Sequence, residues 1–135
     1  MREITVSATL DNIQSVTDFV EEHLLEAGFP MKTVFQINIA VDELFSNIAR
    51  YAYGEDEGEA TVRLQISEDN STAVLTFIDS GTPYNPLKKE DPDVTLDAED
   101  RDEGGLGIYM VKNSMDDICY EYRDGYNTLT VTKHA

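Results

Sequence analysis

Two side chains between residues 43 and 47 could do chemistry together. Glu43 and Asn47 are four residues apart in a stretch with helical periodicity, so a helix places them one turn apart on the same face. A carboxylate among largely apolar neighbours can act as a general base, and a carboxamide oxygen is a hard ligand suited to Mg²⁺. The same spacing fits two polar residues at the exposed rim of an amphipathic helix, so this pair alone leaves both interpretations open.

A second polar group follows an apolar stretch that ends at Ile78. Asp79 could accept a hydrogen bond from an exocyclic amine of a ligand. Gly81 would let a flat ligand approach the backbone closely because it has no side chain. The pattern Asp-x-Gly-x-Pro is also typical of a turn, so the group predicts either a ligand contact or a chain reversal.

Three glycines, Gly104, Gly105 and Gly107, open a stretch with helical periodicity. Glycines at a helix start leave backbone N–H groups free to face an anion, and the positive end of the helix dipole adds to the attraction. The sequence is not a P-loop, because no Gly-Lys-Ser/Thr follows, and a long acidic loop precedes it where a dinucleotide-binding fingerprint has a strand. It predicts a phosphate site, with a flexible joint between loop and helix as the alternative.

These groups must be positioned by three predicted helices and five predicted strands. Apolar residues alternate in the strands and recur every three or four positions in the helices. The order is strand, helix, helix, strand, strand, long loop, helix, strand, strand, with the first strand at a sheet edge; the elements cover residues 4–8, 11–27, 32–53, 62–66, 73–78, 106–115, 118–122 and 129–132. This order predicts an α+β two-layer sandwich, with helices packed on one face of a mainly antiparallel sheet.

Local signals mark the ends of some of these elements. Asp11 and Gln14 resemble a capping box at the start of the first helix. Asp124 and Gly125 are typical of a tight turn, so they predict a hairpin between the last two strands.

The connection at residues 80–105 has no sustained periodicity. Eight acidic residues lie between Glu90 and Glu103. A connection of this length is unusual in a compact domain, so it is predicted to be either disordered or functional. A run of acids is also typical of a loop that is simply solvated.

The composition limits the class of protein. The chain has 135 residues, 41% of them hydrophobic, which fits one domain with a real core. Its net charge of −17 repels phosphate backbones and anionic lipids, so no direct binding to nucleic acid or membrane is expected. One cysteine and two histidines exclude an internal disulfide and a zinc cluster. Without a signal peptide or an apolar run of about 20 residues, we expect a cytoplasmic protein.

The order and spacing of the three groups resemble the GHKL ATPases, whose nucleotide pocket combines an N box, a first glycine box, a mobile lid and a second glycine box. Within that superfamily, the runs at residues 41–48, 104–109 and 115–117 look like the bacterial anti-sigma-factor serine kinases. The resemblance covers nearly the whole chain. It implies one histidine-kinase-like ATPase domain over residues 1–135, with a Bergerat-type ATP-binding fold and a mobile lid at about residues 84–103.

The resemblance also implies a role for each residue of the first two groups. Asn47 would hold the Mg²⁺ that bridges the ATP phosphates, and Glu43 would take a proton from the attacking hydroxyl. Asp79 would bond the adenine amino group, with Gly81 beneath the ring and Thr128, on the last strand, close to the base.

By the same resemblance, the third group and the lid would serve the phosphates. Gly105 and Gly107 would offer backbone N–H groups to phosphate, with Gly104 beside them. Arg101 is the only arginine near these glycines, so cationic help to the γ-phosphate would come from it or from the lysines at 88–89.

The function implied is that of an anti-sigma factor and protein serine/threonine kinase. Such a protein binds Mg-ATP, phosphorylates an anti-anti-sigma partner and alternately sequesters a sigma factor. The alternative is a nucleotide-gated module that chooses partners without transferring phosphate. A sensor histidine kinase is disfavoured because the chain lacks room for a phosphoacceptor domain, and a gyrase-like or chaperone-like ATPase would need a transducer domain. The oligomeric state, a homodimer among the options, is left open.

Overall fold

The computed structural model describes residues 1–88 and 105–135 of the chain. Within these residues, five strands and three α-helices follow the predicted order. Their bounds are β1 Arg2–Ser7, α1 Ile13–Glu26, α2 Met31–Tyr51, β2 Glu59–Ile66, β3 Thr72–Asp79, α3 Gly105–Ser114, β4 Asp117–Arg123 and β5 Tyr126–His134.

The five strands form one antiparallel sheet in the order β1-β2-β3-β5-β4. The strand β1 lies at one edge, as predicted, and β4 lies at the other. The central pair, β3 and β5, is separated in the chain by α3, β4 and the long connection. The predicted α+β class, with a mainly antiparallel sheet, is confirmed.

The core lies between the helices and one face of the sheet. Side chains alternate between the two faces of a strand, and in β3 every second residue is buried while its neighbours are half-buried. All three helices contribute to the cluster on the buried face. Its largest fully buried side chains include Phe45, Phe77, Leu24, Ile37, Leu64 and Leu75.

The start of α1 differs from the sequence prediction. A 3-10 turn, Leu10–Asn12, precedes the helix, and Asn12 is its N-cap residue. No side chain caps the helix, so the predicted capping box is wrong. The Asn12 amide donates instead to the Ser7 carbonyl at 2.8 Å, which ties the turn to the end of β1.

The hairpin between β4 and β5 confirms the predicted turn. Asp124 has φ 55° and Gly125 has φ 86°, so both residues adopt the left-handed conformation that a two-residue hairpin favours. The turn brings Arg123 opposite Tyr126 and so sets the register of the last two strands.

Most of the predicted lid lies outside the described residues, and so do Arg101 and Gly104. Of the lid, the structure describes residues 84–88, which end in a 3-10 turn at Pro86–Lys88. Among the helices described, none is long and apolar enough to cross a membrane.

Candidate functional site

A pocket lies between the C-terminal half of α2 and the sheet, beside the end of β3. Four polar residues, Asn47, Asp79, Thr82 and Asn127, contribute to its lining. The remaining lining residues are apolar or aromatic: Leu44, Ile48, Tyr51, Ala52, Phe77, Tyr84, Pro86, Tyr120 and Leu129. Largely apolar walls with a few convergent polar groups are typical of a small-molecule site.

Asp79 is the acidic residue among those that line this pocket. It is the last residue of β3, and it shares the helix-facing side of the sheet with Leu75 and Phe77 because side chains alternate along a strand. Only 5% of its surface is exposed. Its Oδ1 accepts hydrogen bonds from the Gly81 N–H and from the Asn127 side-chain amide, each at 2.9 Å.

Asn127, which the sequence analysis missed, is the residue of β5 beside Asp79. The two are paired in the sheet, whereas Thr128 is paired with Ile78. Alternation places Thr128 on the face of the sheet opposite the helices, while Asn127 and Leu129 are buried on the pocket side. A sequence signal existed, because Asn127 is two residues before the apolar Leu129 and therefore belongs on its face.

Gly81 is held against the end of α2. A Cβ atom at this position would overlap the backbone carbonyl of Ala52, the residue that follows the helix. The N–H of Thr82 donates to that same carbonyl at 2.7 Å. The close approach that requires glycine is therefore between the loop and α2. The predicted position of Gly81 beneath a ligand ring stays a prediction.

Asn47 and Glu43 lie one turn apart on α2 but meet different neighbours. Asn47 lines the pocket, and its Nδ2 is buried without a hydrogen-bond partner among the described residues. Glu43 is half-buried and lies against α3, where a Cβ on Gly107 would overlap its carboxylate. Because α3 begins at Gly105, this carboxylate lies close to the N-terminal turn of the helix.

The three groups predicted from the sequence are thus brought together around α2. Asn47 faces the same pocket as Asp79. Glu43, one turn earlier on α2, contacts Gly107 of the third group. The loop that contains Gly81 is fastened to the C-terminal end of the same helix. The helix α2 therefore connects the group of Asp79 and Gly81, at one end of the pocket, with the glycines of α3.

Tyrosine side chains form part of the pocket wall. The rings of Tyr51 and Tyr84 are 5.9 Å apart between centroids, and the two residues are 49% and 42% exposed. Burial raises the pKa of the Tyr84 phenol, with a further contribution from Tyr51. Burial also raises the pKa of the Tyr120 phenol, and the charge of Asp79 adds to this rise. The phenols of Tyr84 and Tyr120 therefore stay protonated and able to donate at neutral pH.

Comparisons with known proteins place the chain in a family. Residues 6–133 match the family model described as the histidine kinase-like ATPase domain. The chain belongs to this family. The resemblance to the GHKL ATPases that the three sequence groups suggested is therefore confirmed.

Named relatives narrow the family to serine-protein kinases. The serine-protein kinase RsbW of Listeria monocytogenes is 34% identical over 113 residues, which cover 80% of this chain and 70% of the relative. The serine/threonine-protein kinase BtrW of Bordetella bronchiseptica is 26% identical over 136 residues, which cover 98% of this chain and 92% of the relative. This histidine kinase-like ATPase chain is thus a member of the RsbW-type serine-protein kinases, the class predicted from its sequence.

A solved structure agrees with the fold. The chain matches the crystal structure of the RsbU and RsbW domains of a Mycobacterium tuberculosis protein with a TM-score of 0.65 and 17% sequence identity. The match covers 98% of this chain and 32% of that protein's chain. At this identity the likeness shows the fold alone.

Proposed function

We propose that this protein is an anti-sigma factor and a protein serine/threonine kinase that binds Mg-ATP and phosphorylates an anti-anti-sigma partner. The observation that carries the proposal is the pocket that joins Asp79 and Asn47, with Glu43 and Gly107 in contact next to it. The candidate general base Glu43 and the candidate metal ligand Asn47 lie on α2. Asp79, the candidate group for recognition of the nucleobase, lies on the adjoining sheet. The family membership of the chain supports the same assignment.

The adenine base would lie at the Asp79 end of the pocket. The apolar residues Leu44, Ile48 and Phe77 offer walls for a flat ring, and Asp79 offers an acceptor at a nearly buried position. An ionised carboxylate only accepts hydrogen bonds, so it would recognise the exocyclic amine of adenine.

The side chains also fit a Mg²⁺ ion bound together with the nucleotide. The Asn47 amide lines the pocket, and its buried, unpartnered Nδ2 is a donor that a phosphate oxygen of the nucleotide would satisfy. Its Oδ1 is the type of hard oxygen ligand that Mg²⁺ prefers. The described residues contain no group of three or more His, Cys, Asp or Glu that could hold a metal. Asn47 would therefore hold the ion together with nucleotide phosphates and water, as is usual for Mg²⁺. When bound, the ion would neutralise charge on the phosphates.

Glu43 would act as the general base. It takes the proton from a serine or threonine hydroxyl of the partner while that oxygen forms a bond to the γ-phosphorus. The bond from the γ-phosphorus to the bridging oxygen breaks, and ADP leaves. The N–H groups of Gly105 and Gly107 would face phosphate oxygens, because both glycines lie in the N-terminal turn of α3.

The experiment that tests the proposal is transfer of labelled phosphate. The purified chain is incubated with Mg²⁺, γ-labelled ATP and a candidate anti-anti-sigma protein of the source bacterium, and label on the partner's serine or threonine is measured. The expected result is transfer by the wild type and by a Thr130→Val control, which changes the helix-free face of β5. Absence of transfer to every anti-anti-sigma candidate would contradict the kinase assignment.

A nucleotide-gated binding module remains the second candidate function. The observation that favours it is the run of eight acidic residues between Glu90 and Glu103, because negative charge near a polyphosphate weakens its binding. Such a module would bind its partners differently with ATP and with ADP but would leave no label on them. Calorimetry of partner binding in the presence of each nucleotide, beside the transfer assay, separates the two functions.

A further inference from the structure

We infer that Asn127 is a positioning residue that orients Asp79, and that Tyr120 fixes Asn127 in turn, so that the pocket selects a base with an exocyclic amine over one with a carbonyl. The inference rests on the proposed function, because it assigns base selection to the same pocket. It adds two residues, from β4 and β5, to the recognition of the nucleotide.

The hydrogen bonds around Asn127 leave one orientation for its amide. The backbone N–H of Tyr84 donates to Asn127 Oδ1 at 3.1 Å, and the Tyr120 hydroxyl donates to the same oxygen. On the other side, Asn127 Nδ2 donates to the carbonyl of Thr82 at 3.0 Å. An N–H cannot accept and a carbonyl cannot donate, so both sides independently place the oxygen toward Tyr84 and Tyr120.

This orientation determines which oxygen of Asp79 is left for a ligand. Asn127 Nδ2 lies 2.9 Å from Asp79 Oδ1, which also accepts from the Gly81 N–H at 2.9 Å. Oδ1 is thus engaged by two donors, whereas Oδ2 has no hydrogen-bond partner among the residues the structure describes. Because Asn127 is only 6% exposed, water does not compete freely for these bonds. Asp79 Oδ2 therefore presents a single oriented acceptor to the pocket.

An oriented hydrogen-bond acceptor discriminates between nucleobases by whether the group that faces it is a donor or an acceptor. The 6-amino group of adenine donates to it, whereas the 6-carbonyl group of hypoxanthine or guanine would face it oxygen to oxygen. A site built to hydrogen-bond one polar group rejects a ligand that lacks the matching group, because its own buried group is then left unpaired. If Asp79 could rotate, both of its oxygens would be shared with water and this discrimination would weaken.

Tyr120 allows a test that leaves the pocket packing intact. Tyr120→Phe removes one donor to Asn127 Oδ1 and keeps the ring. Tyr122→Phe is the matched control, because Tyr122 lies two residues along the same strand, 46% exposed, and its hydroxyl has no hydrogen bond among the described residues. Affinities for ADP and for IDP, in which a carbonyl replaces the amine, are measured by calorimetry on the full chain.

For Tyr120→Phe we expect ADP affinity to fall about 3- to 10-fold, the effect of one hydrogen bond, with IDP affinity changing less than about twofold. The preference for ADP over IDP then shrinks in Tyr120→Phe, while Tyr122→Phe keeps the wild-type preference. A parallel fall for both nucleotides would assign Tyr120 a merely structural role and would overturn the inference. Unchanged affinities for both nucleotides would overturn it as well.

A second variant tests Asn127 through its charge. Asn127→Asp keeps the shape but replaces the donating Nδ2 with an oxygen beside Asp79 Oδ1. Two carboxylates in contact repel each other, and Asp79 loses the donor that orients it. We therefore expect Asn127→Asp to lose ADP affinity to a greater extent than IDP affinity, so that the preference for ADP over IDP shrinks. Asn70→Asp adds the same charge at the exposed β2–β3 turn and should show no such change.

The outcomes distinguish this inference from the proposed function. If the wild type does not bind ADP, the nucleotide pocket itself is wrong and the role of Asn127 falls with it. If the wild type binds ADP and Asp79→Asn loses most of that binding, the pocket stands. An Asn127→Asp variant that keeps the wild-type preference for ADP over IDP would then overturn the positioning role alone.

Discussion

The backbone of Gly107 lies directly against the carboxylate of Glu43, so close that a methyl group on the glycine would overlap it. The two residues belong to different helices, α3 and α2, and each was recognised in the sequence as part of a separate group. Their contact places the proposed base at the N-terminal turn of α3, where backbone N–H groups would hold phosphate. The absence of a side chain at Gly107 therefore leaves room for the Glu43 carboxylate in its present position.

Gly107→Ala should lower phosphoryl transfer by about 100-fold or more, because the methyl group displaces the base that contributes that factor. Helix propensity alone favours alanine by about 1 kcal/mol, so a weaker α3 would not explain the loss. Transfer rate and melting temperature are measured together, with Ser114→Ala at the other end of α3 as the control. Wild-type transfer by Gly107→Ala would show that the contact with Glu43 is not required.

Gly81→Ala should reduce the free energy of unfolding by about 1–3 kcal/mol, the usual cost of overpacking. The added methyl meets the Ala52 carbonyl, which also accepts the Thr82 N–H, so the loop and the end of α2 must move apart. Urea denaturation measures the change, with Ser80→Ala as the neighbouring control. Adding Ala52→Gly should not restore stability, because the overlap is with the backbone; recovery in the double variant would contradict this explanation.

Much of the fold could be predicted because its elements carry local periodicity. The second helix was predicted over residues 32–53 and observed at Met31–Tyr51. The turn at Asp124 and Gly125 was predicted from residue type alone, because few residues adopt the left-handed conformation without strain. The capping box predicted from Asp11 and Gln14 failed because the 3-10 turn before the helix makes Asn12, and not Asp11, the N-cap residue. The Asn12 side-chain amide donates to the Ser7 carbonyl at the end of β1.

The detail of the pocket could not be predicted because it depends on a register between distant strands. The pairing of β3 with β5 places Asn127 beside Asp79, and a shift of one residue would have placed Thr128 there instead. The alternation around Leu129 could have assigned Asn127 to the buried face, but it does not say which residue of β3 lies opposite. The contact between Gly81 and Ala52 is equally non-local, so the sequence did not predict it.

The β2–β3 turn gives a prediction about acid stability. Hydrogen bonds from the hydroxyls of Ser71 and Ser67 lower the pKa of Asp69 from its usual 3.8 to about 2. A pKa that is lower in the folded state means that the ionised group stabilises the fold above pH 4, and that this contribution is lost as the pH falls from about 4 to about 2.

Ser71→Ala should therefore raise the pKa of Asp69 toward 3.8. The loss of stability that protonation of Asp69 causes at low pH should become smaller. NMR titration of the Asp69 carboxyl group measures the shift, with Ser7→Ala on β1 as a control. A carboxyl that titrates at the same pH in wild type and in Ser71→Ala would contradict the assigned hydrogen bonds.

The last prediction separates the two roles proposed on α2. Glu43→Gln should keep nucleotide and partner binding but lower phosphoryl transfer by about 100-fold or more, because a base is needed only when a hydroxyl attacks. Asn47→Ala should lose Mg²⁺-dependent nucleotide binding and transfer together, because it removes the amide that lines the pocket. Asp117→Asn, an exposed acid on β4, controls for the loss of one charge. If the wild type transfers no phosphate and Glu43→Gln matches it in every binding assay, the kinase assignment fails and the nucleotide-gated module replaces it.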